Sequence, residues 1–197
     1  MDDRAFFDNL SSTWDDNEIL STPEKINHIL DHIDIKKDDE VLDLGTGTGV
    51  LLPFIAEKIG KNGKLVAVDF SSGMLEKAKA KFGSLDPEPV FLQLDIENDT
   101  IPGEYDHIIL YCVYPHLHTP VETIKWLLKV NLKKNGKISI AFPCGPDFIN
   151  KIHEERHSES DFLPSPSLLA KKLEEAGLKA RVVLDTPEAF LVSVTES

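Results

Sequence analysis

The sequence predicts an α/β fold, a doubly wound sheet of five parallel strands and a C-terminal antiparallel hairpin, with helices on both faces. The apolar segment Val41–Leu44 runs directly into glycines at 45, 47 and 49, and a helical pattern follows. Further apolar segments of strand length then alternate with amphipathic helical patterns. Strands joined by crossover helices pair in parallel, whereas the last two strand segments are separated only by a short turn and must pair antiparallel.

The bounds of each element follow from its capping and turn residues. Thr22-Pro23-Glu24 predicts a helix start, because threonine caps a helix and proline is tolerated in its first turn. Pro53 restricts the helix after the glycines to a start no earlier than about Val50. Asn135-Gly136 predicts a turn before a strand, and Gly177 predicts the end of a helix. The other predicted strands are 64–69, 90–94, 105–111, 137–142, 180–184 and 190–194, and the other helices are 71–82, 121–130 and 167–176.

Length and composition fit a single globular domain of a cytoplasmic protein, either monomer or homodimer. The 197 residues are 41% apolar and 28% charged, and no apolar run approaches the roughly 20 residues that cross a bilayer. Two cysteines are too few for a disulfide framework. The formal charge of −13 disfavours nucleic acid and anionic membranes as partners, because both are bound by clustered lysine and arginine.

The glycine-rich corner predicts a nucleotide-type cofactor, and its details select which kind. The helix N-terminus and glycines without a Cβ let backbone N–H groups approach a ligand. A dinucleotide fingerprint needs a third glycine at the sixth place, where this chain has Val50. Asp43, two residues before the first glycine, suits a cation better than a pyrophosphate. A nicotinamide-dependent oxidoreductase is therefore the weaker alternative.

The pattern Asp-x-Gly-x-Gly-x-Gly over residues 43–49 closely resembles the first motif of the class I S-adenosylmethionine-dependent methyltransferases. The resemblance extends over about residues 38–195 and implies a Rossmann-like fold with S-adenosylmethionine as cofactor. Asp69, at the tip of the second strand, is placed to hydrogen-bond both hydroxyls of a ribose. The resemblance implies a cofactor site made of Asp43, Gly45, Thr46, Gly47, Gly49, Asp69, Phe70, Met74, Asp95, Ile96, Tyr111 and Cys112.

The acceptor is expected to be a small molecule bound beside the tip of the fourth strand. His116 lies there and is the candidate general base, since histidine titrates near neutral pH. The chain lacks the Asn/Asp-Pro-Pro-aromatic box that amino-group and nucleic-acid methyltransferases carry at this point. The candidate substrate contacts are Phe7, Trp14, Tyr114, His116, His118 and His153.

Residues 143–166 are interpreted as a substrate-covering insert, and 1–37 as a helical lid or cap. The remaining parts are a cofactor-binding core at 38–142 and a C-terminal helix and hairpin at 167–197. Within the insert, 153–157 matches the zinc-protease pattern H-E-x-x-H, but the rest of the chain already predicts another fold.

We predict no metal cofactor, although a metal held by cysteines and histidines above the pocket remains an alternative. A polar amphipathic lid helix explains the insert equally simply. The residues that would have to converge on a metal are Cys112, His116, His118, Cys144, His153, His157 and Asp161. A non-catalytic S-adenosylmethionine-binding subunit is the other alternative.

Overall fold

The computed structural model describes residues 21–155 and 162–196. Seven strands form one mixed sheet in the order β3-β2-β1-β4-β5-β7-β6. β1 to β5 pair in parallel, while β7 pairs antiparallel with both β5 and β6. The predicted fold class is therefore confirmed. The strands are β1 Glu40–Leu44, β2 Lys64–Asp69, β3 Val90–Gln93, β4 Tyr105–Tyr111, β5 Leu132–Phe142, β6 Lys179–Thr186 and β7 Ala189–Thr195.

Helices cover the two faces of this sheet because alternate strand residues point to opposite sides. One face packs against the helices that precede β1 and that join β1 to β2 and β2 to β3. The other packs against the helices that join β4 to β5 and β5 to β6. The helices are α1 Pro23–Asp31, α2 Leu52–Ile59, α3 Ser72–Phe82, α4 Pro120–Val130, α5 Pro146–Glu155 and α6 Pro166–Glu175.

The helix ends are capped at the residues that the sequence predicts. The Thr22 hydroxyl accepts a hydrogen bond from the Lys25 N–H at the start of α1, and the Ser71 hydroxyl accepts one from Met74 at the start of α3. Gly177 follows α6 with φ +89°, and the Leu178 N–H donates to the Leu173 carbonyl. This left-handed glycine closes the helix in the Schellman manner.

One predicted turn is wrong. Asn135 and Gly136 do not separate α4 from the next strand, because β5 already begins at Leu132. Tyr105 pairs with Leu132 but His107 pairs with Lys137, so the extra residues of β5 form a bulge. Asn135 accommodates the bulge with φ +69°, a conformation that asparagine tolerates better than most residues.

The division of the chain into a lid, a cofactor-binding core, a substrate cover and a C-terminal helix and hairpin remains a prediction. Residues 143–166 do contain a helix, α5, whose Ile149 is buried against the main core. Phe7 and Trp14 lie outside the described residues. No helix in the described ranges is long and apolar enough to cross a membrane.

Candidate active site

The loop after β1 adopts backbone conformations that favour glycine. Gly45, Gly47 and Gly49 have φ values of +68°, +55° and +88°. A Cβ on Gly45 would lie 2.5 Å from Cγ2 of Val113, and one on Gly49 would lie 2.9 Å from a ring carbon of Phe82. The first and third glycines are therefore required both by backbone conformation and by space.

Asp43 is a buried carboxyl group just below this loop. Its side chain is 2% exposed, and the Thr46 hydroxyl donates to Oδ2 at 2.7 Å. Burial raises the pKa of Asp43 to about 7; the hydrogen bond from Thr46 opposes that rise and the nearby charge of Asp69 adds to it. A cation placed beside the Asp43 carboxylate would recover much of the lost solvation.

Asp69, at the tip of β2, ties the glycine loop to the following helix. One carboxylate oxygen accepts the Gly47 N–H at 2.9 Å, and the other accepts the Ser71 N–H at 2.9 Å. Carboxylate oxygens accept hydrogen bonds, as contact with a ligand hydroxyl requires. Asp43 and Asp69 thus lie at neighbouring strand tips, as the sequence predicts.

Asp95, just after β3, organises a local turn. Its Oδ1 accepts the Glu97 N–H at 3.0 Å, and its Oδ2 accepts from the Asn98 amide at 2.9 Å. Ile96 is partly buried against the main core. The structure therefore shows a turn-stabilising role for Asp95 beside the ligand-binding role that the resemblance implies.

The segment after β4 lies against the glycine loop. The contact between Gly45 and Val113 joins the two loops directly. Cys112 has φ +58°, its N–H donates to Ala141, and a 3₁₀ turn over Tyr114–His116 follows. Tyr114 is buried, which raises the pKa of its hydroxyl. His116 is half-buried at the end of this turn. It lies three residues after Val113, which contacts Gly45 of the glycine loop.

Glu97 is a site residue that the sequence analysis missed. One carboxylate oxygen accepts from the backbone N–H and Nδ1 of His118, and the other accepts from the N–H and hydroxyl of Thr119. Partial burial acts to raise the pKa of Glu97, but these hydrogen bonds outweigh it and hold the pKa below its usual value. Glu97 therefore anchors the end of the turn that carries His116 to the loop after β3.

Residues from α1 and the end of β5 close the same edge of the sheet. The Ser21 hydroxyl lies 3.0 Å from the Tyr111 hydroxyl, and the Lys25 ammonium donates to the Pro143 carbonyl at 3.0 Å. Cys144 is 4% exposed, and burial raises the pKa of its thiol although Lys25 acts in the opposite direction. A protonated, buried thiol is a poor metal ligand.

No three cysteine, histidine or acidic side chains converge on a common point among the residues that the structure describes. His157 and Asp161 lie outside these residues. His153 is on α5, but the structure does not describe its side chain. The metal alternative thus has no support from the described part of the chain.

Comparison with known proteins identifies the family. A family model described as a methyltransferase domain matches residues 35–177. A malonyl-[acyl-carrier protein] O-methyltransferase from Anoxybacillus flavithermus is 32% identical over 123 residues, which are 62% of this chain and 46% of that protein. The chain spans about half the length of several of the curated relatives that it matches.

Solved structures agree on the fold. A SAM-dependent methyltransferase from Aquifex aeolicus superposes with a TM-score of 0.74 at 22% identity, over 95% of this chain and 97% of that one. The structure described as a DhpI–SAH complex superposes with a TM-score of 0.76 at 16% identity, over 98% and 94% of the two chains.

The residues around the glycine loop fit the cofactor that these relatives use. S-adenosylmethionine carries a sulfonium and an ammonium but no phosphate. A buried carboxyl group with a raised pKa, beside a loop without side chains, suits such a cation. The sequence motif, the sheet topology and the family match agree, and the chain belongs to the class I S-adenosylmethionine-dependent methyltransferases.

Proposed function

We propose that this methyltransferase modifies a small-molecule acceptor bound between the glycine loop and the turn over residues 112–118. The observation that carries the proposal is the packing of Val113 against Gly45. This contact joins the segment that carries His116 to the cofactor loop, and the anchor at Glu97 fixes its other end. An acceptor held by this segment lies next to the cofactor.

The cofactor roles proposed for the strand tips follow from their hydrogen-bonding capacity. Asp43 compensates the positive charge of the methionine part, and the backbone of Gly45, Thr46, Gly47 and Gly49 lines the approach. The carboxylate of Asp69 accepts hydrogen bonds from the two ribose hydroxyls. The adenine is assigned to Phe70, Met74, Asp95 and Ile96, and the methionine part to Tyr111 and Cys112.

When bound, S-adenosylmethionine supplies a methyl group already activated by its sulfonium. The protein has to align the acceptor atom in line with that methyl, exclude water and take up a proton where the acceptor carries one. We assign the proton to an imidazole nitrogen of His116. Tyr114 and His118 flank His116 in the chain, and Phe7, Trp14 and His153 complete the proposed substrate contacts.

The charge of the chain supports a small acceptor. An excess of 13 negative charges repels nucleic acid. The relatives are named for different acceptors: malonyl-acyl-carrier protein, protein L-isoaspartate and (S)-coclaurine. Their names therefore do not select one acceptor class.

We further propose a cytoplasmic location and a monomeric or homodimeric state, with 1–37 as lid and 143–166 as substrate cover.

A labelling experiment tests the acceptor class. The purified protein is incubated with cell extract and methyl-labelled S-adenosylmethionine, and the products are separated into small molecules, protein and nucleic acid. We expect enzyme-dependent label in the small-molecule fraction, and much less with Asp69→Ala. Label found only in protein or nucleic acid would refute the small-molecule proposal and leave the family assignment intact.

A further inference from the structure

A second cavity lies on the sheet face that carries α1, away from the glycine loop. Its volume is about 300 Å³, at the lower end of the range for small-molecule sites. It is formed by the C-terminal end of α1 and by β5, β7 and β6. β5, the lining strand nearest to β1, is two strands away, roughly 10 Å at the usual strand spacing, and its lining residues Lys137 and Ser139 precede the carboxyl end of the strand, whereas the glycine loop follows the carboxyl end of β1. The cavity is therefore separate from the proposed methyl-transfer site.

Basic side chains surround this cavity in an otherwise acidic protein. His32, Lys137, Lys179 and Arg181 all line it. Lys179 and Arg181 are two apart on β6 and so project to the same face of the strand. Within the described ranges, neither has a carboxylate oxygen within 4.0 Å. Both cations are therefore without an acidic partner among the described residues.

The acids nearest to the cavity do not neutralise it. Asp34 lies 3.9 Å from the Lys137 ammonium but is also paired with Lys36. Glu196, next to Thr195 of the cavity wall, is exposed and makes no ion pair with a described residue. These two acids thus leave the positive charges of Lys179 and Arg181 without an ion pair. An anion is the ligand that such a charge favours.

The floor of the cavity supplies hydroxyl groups. Ser139 of β5 and Ser193 of β7 are cross-strand partners, and Thr195 lies two residues further along β7. None of the three side chains hydrogen-bonds to another described residue. Ser139 is only 2% exposed, and its chain neighbours Ile138 and Ile140 are core residues. Hydroxyl groups that line a polar cavity can hydrogen-bond to a ligand.

His107 is a buried histidine beside Lys137. His107 is the cross-strand partner of Lys137, and its Nδ1 is buried without a hydrogen-bond partner among the described residues. Burial lowers the pKa of His107, and Lys137 lowers it further, whereas Asp39 and Asp106 act to raise it.

We propose that this cavity binds a small phosphorylated molecule, with Lys137, Lys179 and Arg181 neutralising the phosphate and Ser139 and Ser193 hydrogen-bonding to it. Arginine presents a planar fork of N–H donors that matches phosphate oxygens, and the lysines contribute point charges. The site is independent of the proposed acceptor.

Calorimetric titration at constant ionic strength tests this site. The probes are pyrophosphate, orthophosphate and ribose 5-phosphate, titrated into the wild-type protein. We expect saturable binding of at least one probe with one molecule per chain. The preferred probe then distinguishes an inorganic phosphate from an organic phosphate ester. An absence of saturable binding for all three would refute the proposal.

Variants separate a built site from general attraction. Arg181→Gln should weaken binding about tenfold or more, since it removes charged hydrogen bonds. Ser139→Ala should weaken it severalfold without any change in charge. Lys172→Gln, which removes an equally exposed lysine from α6 on the other face, should leave it unchanged, and all variants should keep their affinity for S-adenosylmethionine.

Two outcomes contradict the proposal even if an anion binds. Equal losses in Lys172→Gln and Arg181→Gln would show attraction to the protein as a whole. Binding to phosphatidylglycerol vesicles without binding to any soluble phosphate would assign this face to a membrane surface.

Discussion

Replacing Asp43 by asparagine should stabilise the cofactor-free protein in a pH-dependent way. Asparagine keeps the shape of the side chain and can accept the Thr46 hydrogen bond, but it never ionises. In the wild type, burial raises the pKa of Asp43 from 3.8 in the unfolded chain to about 7 in the folded protein. The folded state therefore binds the proton more tightly, and its stability falls as the pH rises from about 4 to about 7.

The size of the effect follows from that shift. A difference of about 3 pKa units is worth roughly 4 kcal/mol of unfolding free energy once Asp43 is fully ionised, and roughly 2–3 kcal/mol of it appears between pH 5 and pH 8. The buried amide N–H groups of asparagine cost about 1–3 kcal/mol, but equally at both pH values. The difference between the two pH values in the effect of Asp43→Asn on the unfolding free energy therefore does not contain the cost of the buried amide.

Thermal unfolding without ligand at pH 5 and pH 8 measures this difference. One kcal/mol corresponds to about 2–4 °C for a chain of this size. The change in melting temperature caused by Asp43→Asn should therefore be roughly 5–10 °C more favourable at pH 8. Asp185→Asn, at an exposed position of β6, is the control and should show no such trend. Identical effects of Asp43→Asn at both pH values would refute the buried, high-pKa carboxyl group.

The remaining predictions concern the cofactor and the acceptor segment. The affinity of the wild-type protein for S-adenosylmethionine should rise with pH up to about 7, because the cationic cofactor binds the ionised form of Asp43. Asp43→Asn should lose this pH dependence, and calorimetry at several pH values measures both. Asp69→Ala should weaken cofactor binding by about 1.5–3 kcal/mol, and unchanged affinity would contradict the ribose assignment. His116→Ala should reduce turnover more than cofactor affinity, and equal losses would remove its role as base. Glu97→Gln should cost about 1–2 kcal/mol of stability at pH 7. This cost should shrink as the pH falls below 4.5 and through the lowered pKa of Glu97, because the wild-type carboxylate then becomes protonated; denaturant unfolding over a series of pH values measures this, and a constant cost would contradict it.

The sequence by itself determined the sheet and the glycine-rich corner that we propose as the cofactor site. Both depend on local signals. The alternation of strand and helix is set by the periodicity of apolar residues, and the capping residues Thr22 and Ser71 act within one helical turn. Gly45, Gly47 and Gly49 stand within five residues, and each has the positive φ that only glycine adopts without strain.

The tertiary structure decided what depends on partners distant in the chain. Glu97 is bonded to His118 and Thr119 more than 20 residues away, and nothing local marks it as their anchor. The bulge at Asn135 follows from the register that β4 imposes on β5. Lys137 of β5 and Arg181 of β6 line the same cavity because β7 pairs with both of these strands. The periodicity of apolar residues specifies which face of a strand is buried. Only the packing of helices on the sheet specifies which part of that face stays open.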